Sequence, residues 1–137
     1  MKTEDIAISI TGYSYSNIKE TIPDGVDKEE IAAVYEEIID EYLQKGIPRE
    51  IPALINVSGI PGAGKSTFCK KLLAMPENSS AIYIGFDAIM ENERLPYIRE
   101  EVNHAEEAFK RWEFSARIAG YELLKRAIEN KYLIIFD

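Results

Sequence analysis

Eight residues near the middle of the chain, Gly59-Ile60-Pro61-Gly62-Ala63-Gly64-Lys65-Ser66, constrain its fold more tightly than any other stretch. They match the spacing G-x-x-x-x-G-K-[ST] without a mismatch. Gly59, Gly62 and Gly64 admit backbone conformations barred to residues with side chains and let the main chain approach an anion closely. Successive amide N–H groups then turn inward as a nest for phosphate oxygens. Such a loop needs a strand that ends at it and a helix that begins at it, because the first helical turn adds unpaired amides and the positive end of its dipole. Both flanks are present. Pro52-Ala53-Leu54-Ile55-Asn56-Val57-Ser58 is a short apolar run without clean alternation, as in a strand buried on both faces. Residues 65–74 read as a helix, stopped by Pro76.

The remaining pattern extends this unit. Ala81-Ile82-Tyr83-Ile84-Gly85-Phe86 and Tyr132-Leu133-Ile134-Ile135-Phe136 are two further apolar runs of strand length. Residues 88–97 are polar and read as loop. Ile98, Val102, Ala105, Phe109, Trp112, Ala116, Ala119, Leu123, Ala127 and Ile128 recur at helical steps. A helix of that length is uncommon in a small domain, so a bend is expected near Trp112 or Gly120. Upstream, Ile6, Ile8 and Ile10 alternate with Ala7 and Ser9 and suggest a short strand or extended arm. Residues 13–17 read as loop and Ile22-Pro23-Asp24-Gly25 as a turn. Residues 27–45 read as a helix, with Asp27 as N-cap and Glu30 completing a capping box. Its apolar stripe is Ile31, Val34, Tyr35, Ile38 and Tyr42, and Gly46 suits the left-handed position after its end. The order strand, helix, strand, helices, strand predicts a three-layer α/β architecture, a parallel sheet with flanking crossover helices and about three core strands. Residues 1–50 form an arm and acidic helix packed on a core of residues 51–137.

The chemistry follows from the loop. The loop residues Gly59, Pro61, Gly62, Ala63 and Gly64 would hold the phosphates of a nucleoside triphosphate, ATP or GTP, through the backbone N–H groups of all but Pro61, which has none. Lys65 reaches the β- and γ-phosphates, the Ser66 hydroxyl ligates Mg²⁺, and Thr67 adds a bond to the α-phosphate. Asp87 follows the second apolar run, 22 residues after Lys65. Parallel sheets place their ligand crevice at the carboxyl ends of strands, so a carboxylate there can orient or deprotonate an acceptor hydroxyl. Asp137 ends the third run, the pattern of an acid that meets Mg²⁺ through water. His104, Cys69, Trp112, Phe109 and Tyr121 read as surface or core residues. Arg94, Arg99, Arg111 and Arg117 read first as surface ion pairs, while Glu113 and Glu122 could face the crevice.

The 137 residues fit one domain at the usual ~150 residues each. Residues 1–50 carry 5 Lys and Arg against 12 Asp and Glu, whereas residues 51–137 carry 11 against 12. That balance argues against a broad phosphate-backbone footprint on nucleic acid and leaves room for a basic protein partner at the acidic N-terminal region. No apolar run approaches the roughly 18 residues of a membrane span. The first residues lack the features of a signal peptide, and one cysteine, Cys69, cannot form an internal disulfide. A cytoplasmic, reducing setting is expected.

The series formed by the loop, Ile84-Gly85-Phe86-Asp87, the long helix and Leu133-Ile134-Ile135-Phe136-Asp137 resembles P-loop kinases. It most resembles the zeta-toxin family, over residues 52–137. The resemblance implies ATP or GTP, Mg²⁺ and transfer of the γ-phosphoryl to a small-molecule hydroxyl, such as that of a UDP-amino sugar. By that match Lys65 and Ser66 hold phosphates and metal, Asp87 is the base and Asp137 the strand-end acid near the metal. The family's Arg shortly after the strand-end Asp has no clear counterpart in residues 88–97, although Pro96 and Tyr97 follow. Such kinases are built on about five parallel strands in the order 2-3-1-4-5. The chain supplies three, as the N-terminal part of a kinase domain would, and nucleotide binding with little turnover is expected of it. Polynucleotide 5′-hydroxyl kinases share the layout, and a non-catalytic nucleotide-binding module is the further alternative.

Overall fold

The most apolar run takes the centre of the sheet. In the computed structural model, which describes residues 5–57 and 65–137 (Lys65 and Ser66 by their backbone), β3 (Ile134–Phe136) lies between β1 (Leu54–Asn56) and β2 (Ile82–Ile84). All pairings are parallel, with Ile134 level with Leu54 on one side and Ile82 on the other. Side chains alternate between two faces. Ile82, Ile84, Ile134 and Phe136 join the larger core with α3 (Lys28–Gln44), α5 (Phe86–Met90) and α6 (Tyr97–Glu129). Ile55, Tyr83 and Ile135 face α4 (Lys65–Ala74) and pack with Val57, Cys69, Leu72 and Leu73. The chain is thus an α/β structure, a small parallel sheet with helices on both faces, as the run order predicted.

β1 departs from expectation. It is an edge strand, and Leu54 is 50% exposed rather than buried on both faces. Among the described residues its one strand neighbour is β3, and the helices of the larger core lie over β2 and β3. The apolar run was therefore an incomplete guide, because burial of a strand depends on what covers it.

The long helix does break, but at His104, whose φ of −144° and ψ of 56° are not helical. The break is a true change of direction. Glu100 accepts hydrogen bonds from Arg111 Nε and Trp112 Nε1, both at 2.8 Å. In an unbroken helix those residues would be about 17 Å away along the axis. The two segments are therefore folded toward one another, with Glu100 tying them. Ahead of the break Val102 is 76% exposed, and Phe109 just beyond it is exposed too, so the apolar stripe becomes core only from Ala108 and Trp112 onward. Residues 88–90, expected as loop or a broken turn, belong to α5, which opens at Phe86, expected to close the second strand.

The N-terminal residues are helical, not extended. Asp5 caps α1 (Ile6–Thr11) by accepting from the Ile8 amide, and Gly12 ends it in the left-handed region. Ala7 is buried while Ile8 and Ile10 are exposed, so the alternation of isoleucines does not mark a sheet face. A 3-10 turn at Tyr15–Asn17, where loop was expected, leads into α2 (Ile18–Thr21). The turn at 22–25 and α3 appear as predicted, with the Asp27 carboxylate accepting from the amides of Glu29 and Glu30. Gly46 does not take the left-handed conformation. It is needed for space instead, because a Cβ there would sit 2.5 Å from the ring of Tyr132. Among the described residues no helix is long and apolar enough to cross a membrane.

Candidate functional site at the carboxyl edge of the sheet

Because all three strands are parallel, their carboxyl ends share one edge. β1 runs toward the glycine-rich stretch, β2 toward Asp87 and β3 into Asp137. Gly59, Pro61, Gly62, Ala63 and Gly64 lie outside the described residues. Lys65 and Ser66 open α4, and Thr67 is exposed in its first turn.

Asp137 is fixed by its neighbours. Its amide donates to Ile84 O at 2.9 Å, extending the β2–β3 ladder by one step. On the other side Val57 N donates to Phe136 O at 2.7 Å, which brings the end of β1 level with the end of β3. Asp137 follows Ile135 at a strand period, so it lies on the α4 face. There the Tyr83 hydroxyl donates to Asp137 Oδ2 at 2.5 Å. Burial pushes the Tyr83 phenol well above its ordinary range, and the accepting Asp137 carboxylate pushes it further. Sequence reasoning missed Tyr83. The available signal was its position two residues before Gly85 on a strand beside the acid-ending one.

Asp87 lies three residues past the end of β2, in the first turn of α5, with its side chain exposed. The preceding residue anchors it. The Phe86 ring meets Tyr121 and Phe136 edge-on, at centroid distances of 4.9 and 5.6 Å. Gly120 leaves its place open, since a Cβ there would come within 2.4 Å of the ring. Asp87 also shapes its surroundings. Glu91 is pushed above the ordinary glutamate value by burial first, then by the charges of Asp87 and Glu101. Burial likewise raises the Tyr97 phenol, and the neighbouring Glu101 carboxylate pushes it further. The surface beside Asp87 is thus rich in hydrogen-bond acceptors and negative charge.

Most of the remaining candidates have structural partners, and Arg99 is exposed near the start of α6. Arg94 pairs with Glu41 and Glu37, Arg111 with Glu100, and Arg117 with Glu113. Glu122 is buried and accepts from Arg126, which also grips Glu36. His104 is exposed beside Glu107. Cys69 and Trp112 are core residues as expected, whereas Phe109 is not. Among the described residues no group of three or more His, Cys, Asp and Glu side chains is arranged to hold a metal ion. No family model matches the chain, and no curated protein matches it significantly.

Proposed function

We propose that this chain binds ATP or GTP with Mg²⁺ through its P-loop and belongs to a zeta-toxin-like kinase that transfers the γ-phosphoryl group to a small-molecule hydroxyl. The observation that carries this reading is the convergence of three strand ends on one edge: β1 before the glycine-rich stretch and Lys65, β2 before Asp87, and β3 at Asp137. The strand order β2-β3-β1 supports it further, since it corresponds to the first three places of the 2-3-1-4-5 arrangement that the resemblance implies.

The donor chemistry suits Mg²⁺, a hard cation that takes oxygen ligands and keeps several waters. Ser66 offers a hydroxyl at the start of α4, and Asp137 a carboxylate on the face of the sheet that α4 covers. When bound, the ion neutralises charge on the phosphate oxygens. Lys65 adds positive charge at the same phosphates. Asp87 accepts the proton of the acceptor hydroxyl, and its exposure leaves it within reach of a substrate. The acceptor-rich surface of Asp87, Glu91 and Glu101 suits a group bearing several hydroxyls. It repels a nucleic-acid backbone, which favours a small-molecule acceptor over a polynucleotide.

The test is a pair of variants measured by calorimetry and by phosphate transfer from labelled ATP and GTP to UDP-amino sugars and 5′-hydroxyl oligonucleotides. Lys65→Ala should abolish triphosphate binding. Asp87→Asn should leave binding intact and abolish transfer. Unchanged affinity in Lys65→Ala would defeat the nucleotide assignment. Transfer that persists in Asp87→Asn would show that Asp87 is structural.

A further inference from the structure

We propose that Tyr83 positions the carboxylate of Asp137 for the metal–phosphate site, and that Gly85 makes the room it needs. The inference rests on the phosphotransfer reading and adds to it a residue that neither the loop motif nor the strand-end acids identify.

The placement follows from register. Tyr83 is level with Ile135, so continuing the parallel ladder sets Gly85 level with Asp137. Tyr83, Gly85, Ile135 and Asp137 all belong to the face covered by α4. A tyrosine directly opposite Ile135 reaches Asp137 only by laying its ring along the strand toward the carboxyl edge, a diagonal contact within range of a long aromatic side chain. That path crosses Gly85. A Cβ on Gly85 would stand 2.8 Å from Tyr83 Oη and 3.1 Å from its Cζ. The backbone of Gly85, at φ −136° and ψ 131°, is ordinary extended chain, so its conformation does not call for glycine. The space taken by the phenol does. At the end of that path the hydroxyl donates to Asp137 Oδ2 at 2.5 Å.

The result is a carboxylate held from two directions. The backbone of Asp137 is fixed by Ile84 O, and its side chain by Tyr83, both from β2. Acids that serve a metal are commonly oriented by such a neighbouring donor, and its loss weakens metal affinity by about tenfold or more. Tyr83 touches neither nucleotide nor acceptor in this arrangement, so it is a positioning residue.

The experiment titrates Mg²⁺ against a fluorescent ATP analogue bound to the whole chain, with a parallel affinity measurement in EDTA. Tyr83→Phe removes the donor. Gly85→Ala keeps the hydroxyl but displaces it, at small cost to the fold because the obstructed atoms end a flexible side chain. Both variants should raise the half-saturating Mg²⁺ about tenfold, with the EDTA affinity and the thermal melt close to wild type. Asp137→Asn should do the same or more, and Tyr83→Phe should add nothing in the Asp137→Asn background. Wild-type Mg²⁺ dependence in Tyr83→Phe would overturn the proposal. So would a full added effect of Tyr83→Phe on Asp137→Asn, or an Asp137→Asn variant that behaves as wild type. Lys65→Ala separates the two levels of argument. If it binds the analogue as tightly as wild type, with or without metal, the nucleotide reading itself fails, whatever Tyr83 does.

Discussion

Glu100 should be the most consequential single side chain for the shape of α6, and its removal can be worked through from the structure. Its carboxylate accepts from Trp112 Nε1 and Arg111 Nε across the break at His104. The two arms are unequal. Trp112 is fully buried, so deleting its acceptor strands an indole N–H at a cost of about 1–3 kcal/mol. Arg111 and Glu100 retain 39% and 29% of their side-chain exposure, and solvent screening leaves that ion pair under about 1 kcal/mol. Glu100→Ala should therefore cost about 2–3 kcal/mol. At about 3–4 °C per kcal/mol for a chain of this length, the melting temperature should fall by about 8 °C. Glu100→Gln keeps a carbonyl acceptor for the indole and should lose about 1 kcal/mol. Arg111→Ala should lose less than that. Urea unfolding followed by far-UV circular dichroism gives these values. Trp112, the chain's one tryptophan, reports the same site by fluorescence, and its emission should shift to the red in Glu100→Ala alone. The reasoning is refuted if Glu100→Ala costs no more than Arg111→Ala, or if Glu100→Gln is as damaging as Glu100→Ala. Either result would mean that the buried hydrogen bond does not hold the fold-back.

The other expectations concern charge, space and strain. Hydrogen bonds from Arg126 hold the Glu36 carboxyl below the ordinary glutamate value of 4.5, burial opposes them, and the Tyr15 hydroxyl lowers it further. A depressed folded-state pKa adds stability above the unfolded value that is lost as pH falls through the folded one. The difference in melting temperature between wild type and Glu36→Gln should therefore be full near neutrality and shrink below pH 4.5; a difference constant from pH 7 to 3 would contradict this. Gly120→Ala would place a Cβ 2.4 Å from the Phe86 ring, so denaturant unfolding should show a loss of about 1–3 kcal/mol. Lys131 sits at φ 61°, and Lys131→Gly should gain a few tenths to about 1 kcal/mol in the same assay, whereas a loss would show that its side chain matters more than its backbone.

What could be read from the sequence was whatever depends on neighbours along the chain. The α3 helix was legible because Asp27 and the stripe through Ile31, Tyr35 and Ile38 are local signals. β2 and β3 were legible because two-sided burial leaves continuous apolar runs. One misreading overlooked local caps, and the others turn on distant partners. Ile6, Ile8 and Ile10 alternate, yet Asp5 and Gly12 cap a helix and Ala7 supplies its buried contact. Gly46 looked like a helix terminator, but its lack of a side chain serves Tyr132, far along the chain. The break in α6 fell at His104 because Glu100 bonds to Arg111 and Trp112 across it, which periodicity cannot register. At the candidate site, Asp137 and Asp87 were found as acids after apolar runs. Tyr83 was not, since its role exists only once β2 and β3 are in register.

The order of strands also gives the proposed chemistry a direction. Neighbouring strands lie about 4.8 Å apart, so the ends of β1 and β2 are separated by about 10 Å with β3 between them. The end of β1 and the carboxylate that follows β2 thus stand at opposite ends of one short edge; in the phosphotransfer reading the first leads toward the phosphates and the second serves the hydroxyl. Asp137 stands between them. In the phosphotransfer reading a metal acid belongs there, between the phosphates and the base. Anchoring follows the same logic. Asp137 is held by the backbone of β2 and by Tyr83, and Asp87 follows a Phe86 wedged against Gly120 and Phe136. Both acids therefore draw anchoring contacts from the well-covered half of the sheet, whereas the outer edge of β1 is uncovered by any described strand. In the phosphotransfer reading, the groups that must be rigid before substrate arrives are those that the core already fixes.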